Sequence, residues 1–195
     1  MRWENLFDDL EGQLEQELGS EDVDLRAEEE RLRLGRLSLR DRLVSLHRAR
    51  GREPVRFSLV DGRAIAVSPL TLGKDWLSGD LVGEGSGRDQ CILPLAAIAS
   101  VLFDRDQIEA SLGGGDRDDQ QLGARLGLSF VLRDLCRRRR AVRLELAVGA
   151  THGTIDRVGR DHLDLAVHEA GIARRETAVS QYRSIPFSQL RLVLL

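Results

Sequence analysis

The chain has 195 residues, of which 42% are apolar and 31% are charged, and its formal net charge is -3 at pH 7. These values are typical of a globular protein of one or two domains, and they exclude collagen-like and wholly disordered chains. The longest nearly apolar run, 91–103, has 13 residues. Because about 20 residues are needed to cross a bilayer, we expect no membrane-spanning helix.

Residues 1–30 are strongly acidic, with 2 arginines against 12 acidic residues. They lack the basic start and cleavage site of a secretory signal, so we expect a cytoplasmic protein. Apolar residues recur at helical spacing as far as Leu18, which predicts an acidic amphipathic helix ending near Gly19. Its apolar stripe packs either on the rest of the chain or in a groove of a partner protein. A third alternative is that the acidic block covers basic surface of the barrels and screens it from anionic ligands. For the second case, the predicted interaction residues are Trp3, Leu6, Phe7 and Leu10.

Residues 31–103 carry a net charge of +5 and predict one helix followed by five short strands. Leucines from Leu32 to Leu46 give the helix an apolar face. Alternating apolar residues predict the first strand, and Asp61-Gly62 is a strong hairpin turn. The five predicted strands are 55–59, 63–72, 76–82, 90–93 and 98–103.

Residues 104–121 have 2 basic against 6 acidic residues and contain three consecutive glycines, Gly113 to Gly115. Glycine freedom combined with self-repelling charge predicts an acidic linker between two modules.

Residues 122–195 carry a net charge of +6 and repeat the landmarks of residues 31–103 in the same order. The turn Gly73-Lys74-Asp75-Trp76-Leu77 recurs as Gly159-Arg160-Asp161-His162-Leu163, and Leu93-Pro94-Leu95 recurs as Ile185-Pro186-Phe187. This self-similarity predicts a duplication, with a second helix followed by five strands. Five short strands cannot bury both faces as a flat sheet, so we expect each set to close into a small barrel.

These residues resemble the Sm-like or Lsm-like small barrels of the SH3-like group, most clearly over 153–165. The layout is also similar to uncharacterised tandem-barrel proteins of high-GC Gram-positive bacteria, a similarity that implies no activity. The resemblance implies a mainly β protein with helices (α+β), in which two tandem five-stranded barrels each follow a helix. The Asn and the Arg-Gly pair of the family's RNA pocket are not matched, since Pro94-Leu95 and Pro186-Phe187 stand where Arg-Gly is expected.

A dense basic cluster is the second candidate site, and nucleic acid is the partner that it would bind. Its cations either neutralise phosphates or complement the carboxyl end of a helix. The residues of this cluster are Arg133, Arg137, Arg138, Arg139, Arg140 and Arg143.

No spacing typical of a metal site, phosphate loop or catalytic nucleophile is found, so we expect no enzyme activity and no cofactor. Our interpretation is a non-enzymatic protein-interaction or regulatory protein of the cytoplasm. The alternative is a nucleic-acid-binding regulator that uses the basic barrel surfaces. Barrel edges could also join copies of the chain into a homo-oligomer.

Overall fold

The computed structural model describes residue 23 and residues 25–83, 89–113 and 125–195. The predicted acidic helix that ends near Gly19 lies outside these residues. Residues 1–38 and 39–195 are separate compact units. In the first unit, residues 25–35 are helical. This helix carries ion pairs between residues three apart, including Arg33 with Glu30 at 2.6 Å.

The second unit contains three α-helices and ten strands among the described residues. The helices are α1 (Leu39–Arg50), α2 (Arg105–Leu112) and α3 (Leu128–Arg137). The first five strands are β1 (Val55–Leu59), β2 (Ala64–Leu72), β3 (Trp76–Val82), β4 (Gln90–Pro94) and β5 (Ile98–Leu102). The other five are β6 (Ala141–Leu146), β7 (Ala150–Val158), β8 (His162–Val167), β9 (Gln181–Pro186) and β10 (Leu190–Leu194).

All ten strands form one open antiparallel sheet in the order β5-β1-β2-β3-β4-β10-β6-β7-β8-β9. The predicted closure of each five-strand set into its own barrel is therefore not found. The prediction rested on the need of edge strands for a partner. That need is met between the sets, because β4 of the first set pairs with β10 of the second. We call this pair the junction, and we call the two five-strand sets, with their helices, the first and second halves.

The two halves have the same strand order and the same register. Their second and third strands are offset by a bulge at matching places, between Pro69 and Thr71 and between Ile155 and Arg157. Their first and fifth strands share a second bulge, which skips one residue before Ser100 in β5 and before Leu192 in β10. Because register errors move every side chain to the other face, two shared bulges are strong evidence for the duplication.

Each half has its own hydrophobic core, covered by its own helix. In the first half, Leu43 and Leu46 of α1 pack over inward residues of β1 to β4, including the fully buried Phe57. In the second half, Leu132 and Leu135 of α3 cover the equivalent strands. The apolar face predicted from Leu32 to Leu46 is therefore confirmed only at Leu43 and Leu46. The predicted helix is interrupted at residues 36–38, and Leu32 and Leu39 are exposed.

Residues 105–112, which the charge pattern assigned to a linker, form helix α2. The helix begins with a capping box, in which the Asp104 carboxylate accepts from the Gln107 backbone N–H at 2.8 Å. The Gln107 side chain also donates to the Pro54 carbonyl, and Arg42 of α1 donates to Ser111. These contacts anchor α2 to the first half, and the charge composition of the segment does not predict them.

No helix within the described residues is both long and apolar enough to span a membrane. Most of the glycine-rich loop between β3 and β4 and most of the triple-glycine segment lie outside the described residues.

We predict that the Cys91 thiol is unreactive in the folded protein. Cys91 is 1% exposed, and burial raises the pKa of its thiol to about 12. Because the thiolate is the reactive species, labelling at pH 8 should be slow before unfolding and fast after it. Cys136 is half-buried, and burial raises the pKa of its thiol too. Site-resolved mass spectrometry with a thiol reagent measures both rates, and rapid native labelling of Cys91 would contradict the prediction.

Candidate interaction surfaces

The residues of the predicted protein-binding helix lie outside the described part of the chain. They are Trp3, Leu6, Phe7 and Leu10. The basic cluster, in contrast, is fully described and lies at the end of α3 and the start of β6.

Two arginines of the basic cluster share one carboxylate. Arg137 and Arg138 donate to the two oxygens of Asp134, at 2.5 and 2.6 Å. These two hydrogen bonds, of which the one from Arg138 has the larger effect, hold the pKa of the Asp134 carboxyl below its usual range. Both guanidinium groups are largely exposed. A phosphate at this site would therefore compete with Asp134 for both cations.

The helix end places Arg139 in a strained backbone conformation. Its φ is 50°, in the left-handed region that favours glycine. Arg139 N–H bonds to the Cys136 carbonyl, and Arg140 N–H bonds to the Leu135 carbonyl. These two bonds form a Schellman motif, whose left-handed position is usually glycine. The first half has Gly51 at the matching position, with φ 61°.

The other two arginines of the basic cluster also have partners. Arg133 donates to the Gly159 carbonyl at 3.3 Å, and Arg143 donates to Glu145 at 2.7 Å. Arg40 of the first half makes the contact equivalent to that of Arg133, donating to the Gly73 carbonyl at 2.7 Å. Arg133 therefore has a structural role that its counterpart shares.

The turn before β3 binds the start of α3 and so joins the two halves. The Asp75 carboxylate accepts from the Leu128 backbone N–H at 2.7 Å. The Trp76 indole N–H and the Lys74 backbone N–H both donate to the Leu126 carbonyl, at 2.9 and 3.0 Å. Because α3 has no side-chain cap of its own, Asp75 provides the cap from the other half of the sheet.

Three almost fully buried apolar side chains cross the junction, and the partly buried Leu194 also packs on the core of the first half. Trp76 and Ile92 of the first half are 6% and 2% exposed, and both belong to the core of the second half. Leu192 of the second half is 3% exposed and belongs to the core of the first. Full burial of a side chain such as Ile or Leu stabilises by about 1.5–3 kcal/mol. These residues, rather than the few backbone bonds between β4 and β10, therefore account for most of the junction's stability.

The equivalent turn of the second half is exposed. Asp161 and His162 occupy the positions of Asp75 and Trp76, and their side chains are 85% and 48% exposed. They contact one another, with His162 Nδ1 2.9 Å from an Asp161 oxygen. This hydrogen bond lowers the pKa of the Asp161 carboxyl. The same turn is thus a docking element in one half and a surface loop in the other.

The sheet ends in two edge strands, β5 and β9, each with one neighbouring strand among the described residues. The Phe187 N–H donates to the carbonyl of Asp161, which precedes β8. Because successive N–H groups of a strand point to opposite sides, the N–H groups of Tyr182 and Ser184 point away from β8. In the first half, Gln90 of β4 occupies the position of Tyr182, and at the junction its carbonyl accepts from the Leu195 N–H. The free edge of β9 can therefore receive another strand in the same way.

Other polar groups of the second half have internal partners. The buried His168 bonds through Nε2 to Thr154 and through Nδ1 to the Glu169 carbonyl. Arg174 forms a two-point ion pair with Asp156. Among the described residues, no group of three His, Cys, Asp or Glu is placed to hold a metal ion.

A shallow cleft lies against α1, and its lining includes the core residues Leu43, Leu46 and Leu77.

Comparison with protein families, with curated proteins and with solved structures finds no match to this chain.

Sequence reasoning found the basic cluster but missed the docking turn. The signal was present in the repeat itself, because the two turns differ by Trp76 in one half and His162 in the other. A large apolar residue at only one of two equivalent turns indicates a contact that only one half makes.

We predict that Asp75→Ala lowers the free energy of unfolding by about 1 kcal/mol, because it removes the cap of α3. The matched control is Asp161→Ala, the equivalent change at the exposed turn, which should leave the urea midpoint unchanged. Equal losses in the two variants would contradict the assigned capping role.

We predict that Arg139→Gly raises the free energy of unfolding by about 1 kcal/mol, because it relieves the left-handed strain. The reciprocal change, Gly51→Ala, should destabilise the protein, because alanine is strained at that φ. Urea denaturation measures both variants, and a loss of stability in Arg139→Gly would show that the arginine side chain stabilises the fold.

Proposed function

We propose that the chain is a non-enzymatic protein-interaction or regulatory protein of the cytoplasm. We further infer that each half is an Sm-like or SH3-like barrel whose open side is completed by a neighbouring strand. One observation carries the proposal: within the described part of the chain, β9 pairs with β8 on one side only, and the N–H groups of Tyr182 and Ser184 face its free edge.

An added strand is a common means of protein recognition, because backbone bonds give affinity and neighbouring side chains give selectivity. Tyr182 is 55% exposed beside this edge. Its hydroxyl donates to Glu176 at 2.9 Å, which orients the ring. An exposed and oriented aromatic ring is a typical anchor for a protein partner. In this proposal the segment of Trp3 and Phe7 supplies a second contact.

The basic cluster supports a second candidate function, the binding of nucleic acid. Arg139 occupies a left-handed position where the first half has Gly51, at a cost of about 1–2 kcal/mol. Retention of a strained residue at a surface is the usual sign of a functional requirement. Phosphate binding by the cluster would supply that requirement.

We predict that Ser184→Pro abolishes binding of the protein partner. Proline removes an N–H that points away from β8, so the ladder between β8 and β9 should survive. Ser184→Ala is the matched control, because it keeps the N–H and loses only the hydroxyl that donates to Asp164. The measurement is crosslinked capture from the native cytoplasm with the full chain, probed for protein and for nucleic acid.

The outcomes separate the two functions. A protein retained by the wild type and by Ser184→Ala, but lost from Ser184→Pro, supports strand addition. Loss from a Trp3→Ala, Phe7→Ala variant would place binding at the N-terminal segment as well. Equal retention by Ser184→Pro and the wild type would contradict binding at β9.

For the second function, we predict the salt dependence of binding to single-stranded RNA and duplex DNA. Replacing the four arginines 137–140 by alanine should reduce the log-log salt slope by about 0.7–0.9 for each phosphate that the variant no longer neutralises. Tight binding at physiological salt that disappears in this variant would favour the nucleic-acid function. An unchanged slope would show that these four arginines do not neutralise phosphates and would contradict the nucleic-acid function of the basic cluster.

A further inference from the structure

The junction joins opposite ends of equivalent halves, since the fourth strand of the first half pairs with the fifth strand of the second. Among the described residues, two strands have a neighbour on one side only: the fifth strand of the first half, β5, and the fourth strand of the second half, β9. A second copy of the chain could therefore repeat the junction by laying its β5 along β9. The backbone geometry on both sides permits this pairing, because the registers of the halves match.

The side chains at the two free ends differ from those at the junction. The positions of Trp76 and Ile92 in the first half correspond to His162 and Ser184 in the second. The position of Leu192 in β10 corresponds to Ser100 in β5. The three junction residues are almost fully buried, whereas all three counterparts are exposed. The three almost fully buried side chains that cross the junction are therefore polar at the matching free ends, whereas the partly buried Leu194 corresponds to the apolar Leu102.

A fourth position adds a charge. Cys91 of β4 is 1% exposed and lies opposite Leu194 at the junction. Its counterpart in β9 is Arg183, which shares a face of the sheet with the buried Leu165. A copy docked at β9 would enclose this guanidinium without a carboxylate from the equivalent position of β5, which is Leu102. An inward-facing charge on an edge strand is a known means of preventing edge-to-edge pairing.

We propose that the free edges β5 and β9 reject a second copy of the chain, and that Ser100, His162, Arg183 and Ser184 are the residues responsible. Buried apolar side chains join the two halves at the junction between β4 and β10. The matching positions at the free edges of β5 and β9 are mainly polar, which prevents a further copy from pairing there. Only a partner other than a copy of this chain then adds a strand at β9. That last step rests on the proposed function, whereas the rejection of a second copy concerns self-association alone and is tested separately.

The test converts each free end to the junction sequence in a separate full-length protein. One protein carries Ser100→Leu, which changes the β5 end. The other carries three changes at the β9 end, His162→Trp, Arg183→Ala and Ser184→Ile. Because the pairing is head to tail, the two proteins should bind each other at 1:1, at least tenfold more tightly than either binds itself. Sedimentation velocity across a hundredfold range of concentration measures all three associations, and the wild type should keep the mass of one chain throughout.

A control separates the designed contact from general surface stickiness. It adds apolar side chains of similar size at exposed positions away from both edges, namely Ala49→Trp, Thr71→Ile and Arg157→Leu. Circular dichroism first establishes that every variant is folded. Association of the control as strong as that of the mixed pair would overturn the proposal. A wild type that self-associates, with Ser184→Pro preventing it, would overturn it as well.

Discussion

Two adjacent residues of the first half bind the start of α3: Asp75 in the turn after β2, and Trp76, the first residue of β3. The Asp75 carboxylate caps α3, and the Trp76 indole enters the core of the second half. The tight turn at Gly73 positions both Asp75, which caps α3, and Trp76, which carries the buried indole. A side chain on Gly73 would collide with the Trp76 ring. The cap of α3 and the burial of the Trp76 ring in the second core therefore depend on this turn.

Duplication explains both the similarity and the difference of the halves. Shared features serve the folding of each half alone: the two bulges, the helix that covers each core, and the arginine that bonds to the turn glycine. Differences concentrate where a residue meets the other half or water. Trp76 and His162 illustrate this, because equivalent backbone positions carry a buried ring in one case and an exposed one in the other.

Much of the secondary structure was predictable from local patterns. The strands Val55–Leu59 and Trp76–Val82 match the predicted bounds, since alternation of apolar residues reports directly which face is buried. Helix α2 was missed because its signal is a capping box, Asp104 with Gln107, inside a segment whose charge suggested a linker. The continuous sheet was missed for a different reason: periodicity describes one strand and does not identify its neighbour. The basic cluster was visible in the sequence, but the sharing of Asp134 by two of its arginines was not.

The edges of the sheet connect the fold to its proposed use. Among the described residues, the open ten-stranded sheet leaves one row of backbone groups without a neighbouring strand at each end, an arrangement that ordinarily favours aggregation. Association costs about 4–15 kcal/mol of lost freedom, and a few backbone bonds at about 1 kcal/mol each do not offset that cost. The buried apolar side chains at the junction do offset the smaller cost of joining two halves already linked in one chain. At β9 the exposed Ser184 and His162 provide no such burial, so a partner must bring its own apolar contacts, and Tyr182 is the exposed ring available to receive them.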